Sequence, residues 1–288
     1  MSKQTDQTLT PESYTQPPSP PPTGNIVTRG FEAIREGRMP YQVRKHLDSF
    51  LVSVGVKHRC VNVGGARIRT RRCTVDEDVA QHILSEGEYN AEGYEIGNAD
   101  TVVDVGGHIG CFAVYAAMRA VDGRIFTFEP MSENYQLLKS NIELNRLNNV
   151  VAKRSAVVGG PKRTMRLFVV DYNTGAHSVK PENAESLDRY QDVSAISLEA
   201  IFERNAIQKC DFLKLDCEGG EFDILLNSSD SVLSRVERIA MEWHASSMES
   251  KLPESRQLVN RLIDLGFCID KYVEFTLFRY GYLFAKRR

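Results

Sequence analysis

Three acidic side chains lie close to the point in the stretch LKLDCEGGEFDILL, residues 213–226, where an apolar run gives way to a polar turn. They are Asp216, Glu218 and Glu221, and a second apolar run ends in AMEWHASS with Glu242 and His244. Carboxylate and imidazole groups can accept a proton as general bases or bind a divalent cation. Acids near a helix N-terminus are also stabilised by its dipole, which is the simpler explanation for Glu221.

The elements that position these groups begin at Thr101, where short apolar runs alternate with longer helical segments. The runs are TVVDV, RIFTFE, VVAKRSAVV, DFLKLD and RIAMEW. This alternation predicts βαβ units and a mostly parallel sheet, whose ligands bind at the carboxyl ends of the strands. Asp216 then follows strand four, and Glu242 and His244 share one face of strand five.

Two further segments complete the predicted sheet. FCIDKYVEFTLFRYGYLFAKRR contains two strand-like runs, which predict an antiparallel end to the sheet. MRLFVVDYNTGAHSV is too long for a simple connection, so we expect an inserted extended segment that carries His177 as a reserve base.

A glycine-rich turn follows the first strand in VVDVGGHIG, where Gly106 and Gly110 let the backbone approach a ligand. The turn departs from the GxGxxG dinucleotide fingerprint, and Asp104 before it would repel a pyrophosphate. Asp104 instead suits a cation, such as the α-ammonium group of S-adenosylmethionine. Glu129, at the end of FTFEP, is placed to accept both ribose hydroxyls. The alternatives are a helix-capping acid for Asp104 and a solvated residue for Glu129.

The chain resembles the class I S-adenosylmethionine-dependent methyltransferases, and within them the FkbM family. The resemblance rests on TVVDVGGHIGCF, FTFEPMSENYQLLKSNIELN, VSAISLEAI and, above all, FLKLDCEGGEFDIL. It covers roughly residues 85–245 and departs at Gly107 and His108, where the family commonly has a small residue and Asn. It implies a Rossmann-like α/β fold with a mostly parallel seven-stranded sheet and an antiparallel C-terminal strand.

The placement of residues at strand ends, together with this resemblance, gives a predicted site in two parts. The expected cofactor residues are Tyr89, Asp104, Gly106, Gly107, Gly110, Glu129, Asn134, Ser155, Ala156 and Asp216. Asp216 is expected to meet the acceptor hydroxyl and His244 to act as the base, while Glu218 and Glu242 orient the base or bind substrate. A hydrogen-bonded structural histidine is the alternative for His244. A divalent metal bound by these four groups is possible but not favoured.

The composition bounds the partners and the location. Of 288 residues, 42% are hydrophobic and 26% charged, as in soluble globular proteins. A net charge of −2 argues against nucleic acid as a partner. Six cysteines without a CxxC pair signal neither a zinc site nor a disulfide framework, so we expect a cytoplasmic protein. No apolar run has the length of a transmembrane segment.

Three regions are predicted along the chain. Residues 1–24 form a disordered proline-rich tail, residues 25–96 a helical and β-hairpin extension, and residues 97–288 the S-adenosylmethionine-binding methyltransferase domain. In the hairpin, Arg67, Arg69 and Arg71 alternate onto one face.

The predicted activity is S-adenosylmethionine-dependent O-methylation of a hydroxyl on a small metabolite, glycan or lipid-like acceptor. A nicotinamide-dependent oxidoreductase is one alternative. A non-catalytic methyltransferase-fold binding module is the other.

Overall fold

The computed structural model describes residues 41–168, 190–275 and 277–288. The predicted proline-rich tail and His177 lie outside the described residues. Residues 54–288 form one unit, and the helix Tyr41–Ser53 belongs to another. The elements of the described chain are helix α1 (Tyr41–Ser53), strands β1 (His58–Val63) and β2 (Ala66–Arg71), helix α2 (Asp76–Gln81) with a π-helical turn (His82–Glu86), β3 (Thr101–Val105), α3 (Cys111–Arg119), β4 (Arg124–Phe128), α4 (Ser132–Leu144), β5 (Val150–Lys153), β6 (Ala156–Val158), β7 (Thr164–Phe168), β8 (Tyr190–Ser197), α5 (Leu198–Arg204), β9 (Phe212–Leu215), α6 (Glu221–Asn227), α7 (Asp230–Leu233), β10 (Arg238–His244), α8 (Lys251–Asp264), β11 (Phe267–Glu274) and β12 (Tyr280–Arg287).

A seven-stranded sheet forms the centre of the unit, in the order β11-β12-β10-β9-β3-β4-β5. Strands β3, β4, β5, β9 and β10 pair in parallel. Strand β12 lies between β10 and β11 and runs antiparallel to both. The predicted fold, a mostly parallel Rossmann-like sheet with an antiparallel C-terminal strand, is therefore confirmed.

The central strands are mostly apolar because both faces of the sheet are covered. All four residues of β9 and four of the five residues of β3 are buried. Neighbouring residues point to opposite faces, so Val102 and Phe212 belong to one hydrophobic core, while Val103 and Leu213 belong to the other. The sheet is thus packed between two hydrophobic cores, one on each face.

The third predicted strand, VVAKRSAVV, is divided in the structure. Strand β5 closes the large sheet, whereas β6 pairs with β8 in a second sheet of order β6-β8-β7. Ser155 lies at the division, and its hydroxyl donates to the carbonyl oxygens of Ala156 at 3.1 Å and Ser194 at 3.2 Å. The start of the predicted inserted segment is strand β7, which pairs antiparallel with β8.

The β1–β2 hairpin lies in the same unit as the large sheet, and its arginines alternate as predicted. Arg67 and Arg69 are exposed between the buried residues Ala66, Ile68 and Thr70. The outer edge of β2 is covered by side chains that accept its backbone N–H groups, namely Asn145 for Arg67 at 2.9 Å, Asn141 for Arg69 at 2.7 Å and Asp76 for Arg71 at 2.9 Å. An edge strand covered in this way offers no free ladder to a second chain.

Candidate active site

A cavity of about 350 Å³ opens where β3, β4, β9 and β10 end. On one side it is lined by predicted cofactor residues, which are Gly106, Gly107, Glu129, Asn134 and Ala156. On the other side it is lined by the predicted acceptor residues Asp216, Glu218 and Glu242. Five other predicted site residues lie outside this lining, namely Tyr89, Asp104, Gly110, Ser155 and His244.

The glycine-rich turn fits tightly between two strand ends. Gly106 has a φ of +79°, and a Cβ there would collide with the carbonyl oxygen of Asp216, so only glycine fits. The N–H groups of Gly106 and Gly107 each donate to the carbonyl oxygen of Phe128 at 3.0 Å. The backbone of the turn therefore forms a fixed part of the cavity wall.

Glu129 is buried with its carboxylate held from two directions. One oxygen accepts the N–H of His108 at 2.8 Å, and the other accepts the N–H of Met131 at 2.8 Å and the amide of Asn134 at 3.4 Å. Burial raises the pKa of Glu129 to about 7 against the effect of these hydrogen bonds. The alternative of a solvated residue is therefore wrong, and the carboxyl group is positioned as an acceptor in the cavity wall.

Asp104 lies behind the turn and is fully buried. Its Oδ2 accepts the hydroxyl of Thr127 at 2.7 Å, and its Oδ1 lies 3.4 Å from Nζ of Lys214. The cation beside Asp104 in the structure is therefore Lys214, in place of the expected ligand ammonium group. Helix α3 begins after Gly110, and Asp104 does not cap it. In the sequence, the only indication of the contact between Asp104 and Lys214 was that Lys214 is a charged residue within the otherwise apolar run FLKL.

Asp216 joins the same group of charges at the cavity wall. Its Oδ2 accepts the hydroxyl of Tyr89 at 3.0 Å and lies 3.5 Å from Nζ of Lys214. Burial by itself raises the pKa of Asp216, but Lys214 and His244 outweigh it, and the pKa falls below its usual value. Tyr89 thus lies behind Asp216 instead of on the cavity wall.

His244 lies among three carboxylates. Its Nε2 is 3.2 Å from Glu242 and 3.4 Å from Glu218, and its Nδ1 is 3.5 Å from Glu221. Burial lowers the pKa of His244, but these acids outweigh it and raise the pKa well above 6.5. An imidazolium ion has no lone pair for a substrate proton. The surroundings of His244 therefore weigh against its predicted role as the base and favour a role in holding the acids.

Glu221 and Glu218 have different surroundings, although both lie close to His244. Glu221 is fully buried, and its two oxygens accept the N–H groups of Cys217 at 2.7 Å and Gly219 at 2.9 Å, so it shapes the turn after β9. Glu218 has a left-handed φ of +55° and lines the cavity. Burial raises its pKa to about 8, with the charges of Asp216, Glu221 and Glu242 adding to the effect and His244 opposing it.

Glu88 is a cavity residue that the sequence did not reveal. It accepts a hydrogen bond of 2.5 Å from the hydroxyl of Tyr282, which lies on β12. Burial is the main cause that raises the pKa of Glu88, and Asp216 and Glu242 add to it. Its position next to Tyr89 in GEYN was the available signal, because that segment folds over the strand ends.

The described part of the chain holds neither a metal-binding cluster nor a membrane-spanning helix. Within residues 41–168, 190–275 and 277–288, no three His, Cys, Asp or Glu side chains are grouped to hold a metal ion. None of the helices in those ranges has both the length and the apolar character for crossing a membrane.

Known proteins resemble this chain over the region just described. A family model described as "Methyltransferase FkbM domain" matches residues 104–269, more than half of the 288 residues. The AMB antimetabolite synthetase AmbE of Pseudomonas aeruginosa is 24% identical over 212 residues, which are 62% of this chain and 10% of the synthetase. Methyltransferase 1 of Beauveria bassiana is 23% identical over 161 residues, which are 49% of this chain and 63% of that protein. The chain thus spans less than two thirds of either relative.

Among solved structures, methyltransferase FkbM from Methylobacillus flagellatus aligns with 67% of this chain and 44% of its own chain. The sequence identity is 15% and the TM-score is 0.43.

Proposed function

We propose that this chain, which belongs to the FkbM methyltransferase family, transfers a methyl group from S-adenosylmethionine to a hydroxyl group of a small-molecule, glycan or lipid-like acceptor. The observation that carries the proposal is that one cavity is lined both by the glycine turn and Glu129 and by the carboxylates Asp216 and Glu218. Membership of a methyltransferase family also decides against the nicotinamide-dependent oxidoreductase.

The residues on the turn side of the cavity fit such a cofactor. Glu129 presents a fixed carboxyl group suited to two ribose hydroxyls, and Asn134 and Ala156 line the space beside it. Gly106 and Gly107 line the same space, so the ligand would lie against the backbone of the turn. When bound, the cofactor supplies an electrophilic methyl group on a positively charged sulfur.

On the acceptor side, the chain must orient a hydroxyl group and take its proton. Asp216 stays ionised beside Lys214, so it accepts a hydrogen bond from the hydroxyl and orients it. Glu218 is the base in our proposal, because it lines the cavity and its pKa of about 8 is closer to neutral pH than that of Asp216. His244 holds Glu218 from behind at 3.4 Å.

The charges of the cavity limit the acceptor. Four acids line one side of it, namely Glu88, Asp216, Glu218 and Glu242. Of these, Asp216 is ionised, and Lys214 beside it is already engaged by Asp104 and Asp216. A phosphate or carboxylate next to the reacting hydroxyl would be repelled. We therefore propose a neutral or positively charged acceptor, which agrees with the expectation that nucleic acid is not the partner.

The test is a calorimetric titration of the protein with S-adenosylhomocysteine and, separately, with NADH, each with and without magnesium. We expect S-adenosylhomocysteine alone to bind. Glu129→Gln should weaken that binding about tenfold, because the amide accepts fewer hydrogen bonds than the carboxylate. The matched control is Glu133→Gln, an exposed acid in the first turn of α4, and this variant should bind as the unmodified protein does. Binding of NADH, or of neither compound, would contradict the proposal.

A further inference from the structure

We propose that Lys214 is a positioning residue through which Asp104 acts on the active site, holding the glycine turn and Asp216 in place while Asp104 itself stays out of contact with the cofactor. The inference rests on the proposed function, because it concerns how the same site recognises a charged cofactor.

The register of the sheet places Asp104 and Lys214 side by side. Asp104 on β3 and Lys214 on β9 are direct partners in the parallel pairing of these two strands. Both side chains are buried, with exposed fractions of 0% and 2%. Nζ of Lys214 is 3.4 Å from Asp104 and 3.5 Å from Asp216, so one ammonium group lies between two carboxylates.

The ammonium group also holds the backbone of the turn. Nζ of Lys214 donates to the carbonyl oxygen of Gly106 at 2.8 Å and lies 3.4 Å from that of Val105. These two residues end β3 and begin the glycine turn, whereas Lys214 belongs to β9. Lys214 therefore joins the two strand ends that form the cavity wall, and Asp104 stabilises this contact from below.

Aromatic side chains lie close to the buried ammonium group, and Lys214 also lines the cavity. Its Nζ lies 5.4 Å from the centre of the Tyr89 ring and 6.0 Å from that of Phe112. A buried ammonium group stays charged only when acids compensate for its lost hydration. Asp104 and Asp216 do so here, and in return Lys214 keeps Asp216 ionised.

The charge on Asp216 has a consequence for cofactor recognition. S-adenosylmethionine carries a sulfonium charge that S-adenosylhomocysteine lacks, so an ionised acid in the wall favours the former relative to the latter. Asp216 alone of the two acids lines the cavity. The groups that set its ionisation are Lys214, His244, His108, Tyr89, Glu88, Glu218 and Asp104.

A double-mutant cycle of Asp104→Asn and Lys214→Met tests the inference by calorimetry with both cofactor forms between pH 8 and pH 5. In Lys214→Met, Asp216 loses its nearest cation and takes up a proton at higher pH. As the pH falls from 8 to 5, the preference of Lys214→Met for S-adenosylmethionine over S-adenosylhomocysteine should therefore decrease. We expect this decrease to be about tenfold larger than in the unmodified protein, which corresponds to a rise of one unit in the pKa of Asp216. Adding Asp104→Asn to Lys214→Met should change the preference no further.

Two further variants keep the result interpretable. Lys214→Arg retains the charge and should restore much of the preference. Lys251→Met removes another buried lysine, which pairs with Glu274 at 3.1 Å in a contact outside the cavity lining, and should leave the preference unchanged. The double variant replaces the acid and the lysine together, so it avoids leaving an unpaired buried carboxylate if Lys214→Met alone does not fold.

Additive effects of Asp104→Asn and Lys214→Met would overturn the inference, because Asp104 would then act by its own contact. The inference would also be overturned if Lys214→Met weakened the binding of both cofactor forms equally at every pH, because a merely structural role predicts that result. If the unmodified protein binds neither form, the proposed function fails and this inference fails with it.

Discussion

His108 gives the clearest quantitative prediction, because its surroundings keep a titratable group neutral inside the fold. It occupies the glycine turn with a left-handed φ of +47°. Its Nε2 lies 3.1 Å from a guanidinium nitrogen of Arg71, and that arginine forms two side-chain hydrogen bonds of 2.8 Å to Asp76. Burial lowers the pKa of His108 to about 4; Asp76 opposes this effect and Arg71 adds to it.

The magnitude follows from the difference between the folded and unfolded pKa values. An unfolded histidine titrates near pH 6.5, so the unfolded chain binds a proton that folded His108 refuses. The contribution of neutral His108 to the free energy of unfolding is therefore fully present above pH 6.5 and is lost as the pH falls toward 4. With a folded pKa of about 4, the loss at pH 5 amounts to about 2 kcal/mol of unfolding free energy.

The assay is urea unfolding of the unmodified protein and His108→Asn at pH 8 and pH 5. Asparagine tolerates a left-handed φ and does not titrate in this range, so it leaves the turn intact. The free energy of unfolding of His108→Asn, relative to the unmodified protein, should rise by about 2 kcal/mol from pH 8 to pH 5.

The matched control is His82→Asn, because the His82 side chain is 57% exposed. Its pH dependence should follow the unmodified protein within about 0.5 kcal/mol, as for surface substitutions. The reasoning is refuted if His108→Asn and the unmodified protein lose stability in parallel.

Two further predictions concern the base and the hairpin. Glu218→Gln should lower turnover of S-adenosylmethionine with a hydroxylated acceptor by roughly a hundredfold or more while S-adenosylhomocysteine binds within about twofold of normal, because only proton removal is lost; an unchanged turnover would assign the base elsewhere. Asn141→Ala should speed hydrogen exchange at the Arg69 amide, whose acceptor it removes, and lower stability by about 1–3 kcal/mol. Asn145→Ala, its control one turn further along, should instead expose the Arg67 amide, and equal exchange at both amides in both variants would contradict this account.

The sequence was sufficient to predict the strands and the edge at which the site forms. Runs such as TVVDV and DFLKLD are mostly apolar, with Asp104 and Lys214 as charged exceptions within the strands, because both faces of a parallel sheet are buried, and this pattern is local. The positions of Asp216 and Glu129 follow from the same pattern, since parallel strands present their carboxyl ends at one edge. The division of VVAKRSAVV between two sheets was not predictable, because the run stays strand-like while the chain leaves the large sheet after Lys153.

The partners of the charged residues could not be predicted either, because they depend on the order of the strands. Asp104 and Lys214 are 110 positions apart and meet only because β9 lies next to β3 in a matching register. The same applies to His244, whose spacing from Glu242 was foreseen on β10 but whose contacts with Glu218 and Glu221 come from the turn after β9. A local pattern therefore located these side chains, whereas their protonation depends on neighbours from other strands.

Those neighbours explain why Asp216, Glu218 and Glu221 lie together after β9 in LKLDCEGGEFDILL. Glu221 is buried against two backbone N–H groups and His244, so it stays ionised and shapes the turn. Asp216 stays ionised because Lys214 lies beside it, whereas burial and the neighbouring acids raise the pKa of Glu218 to about 8. Acids whose surroundings push their pKa values apart are suited to different tasks in one reaction. On this reasoning, a single turn provides a structural acid, an orienting acid and a proton acceptor, and exchanging the surroundings of Asp216 and Glu218 would exchange their roles.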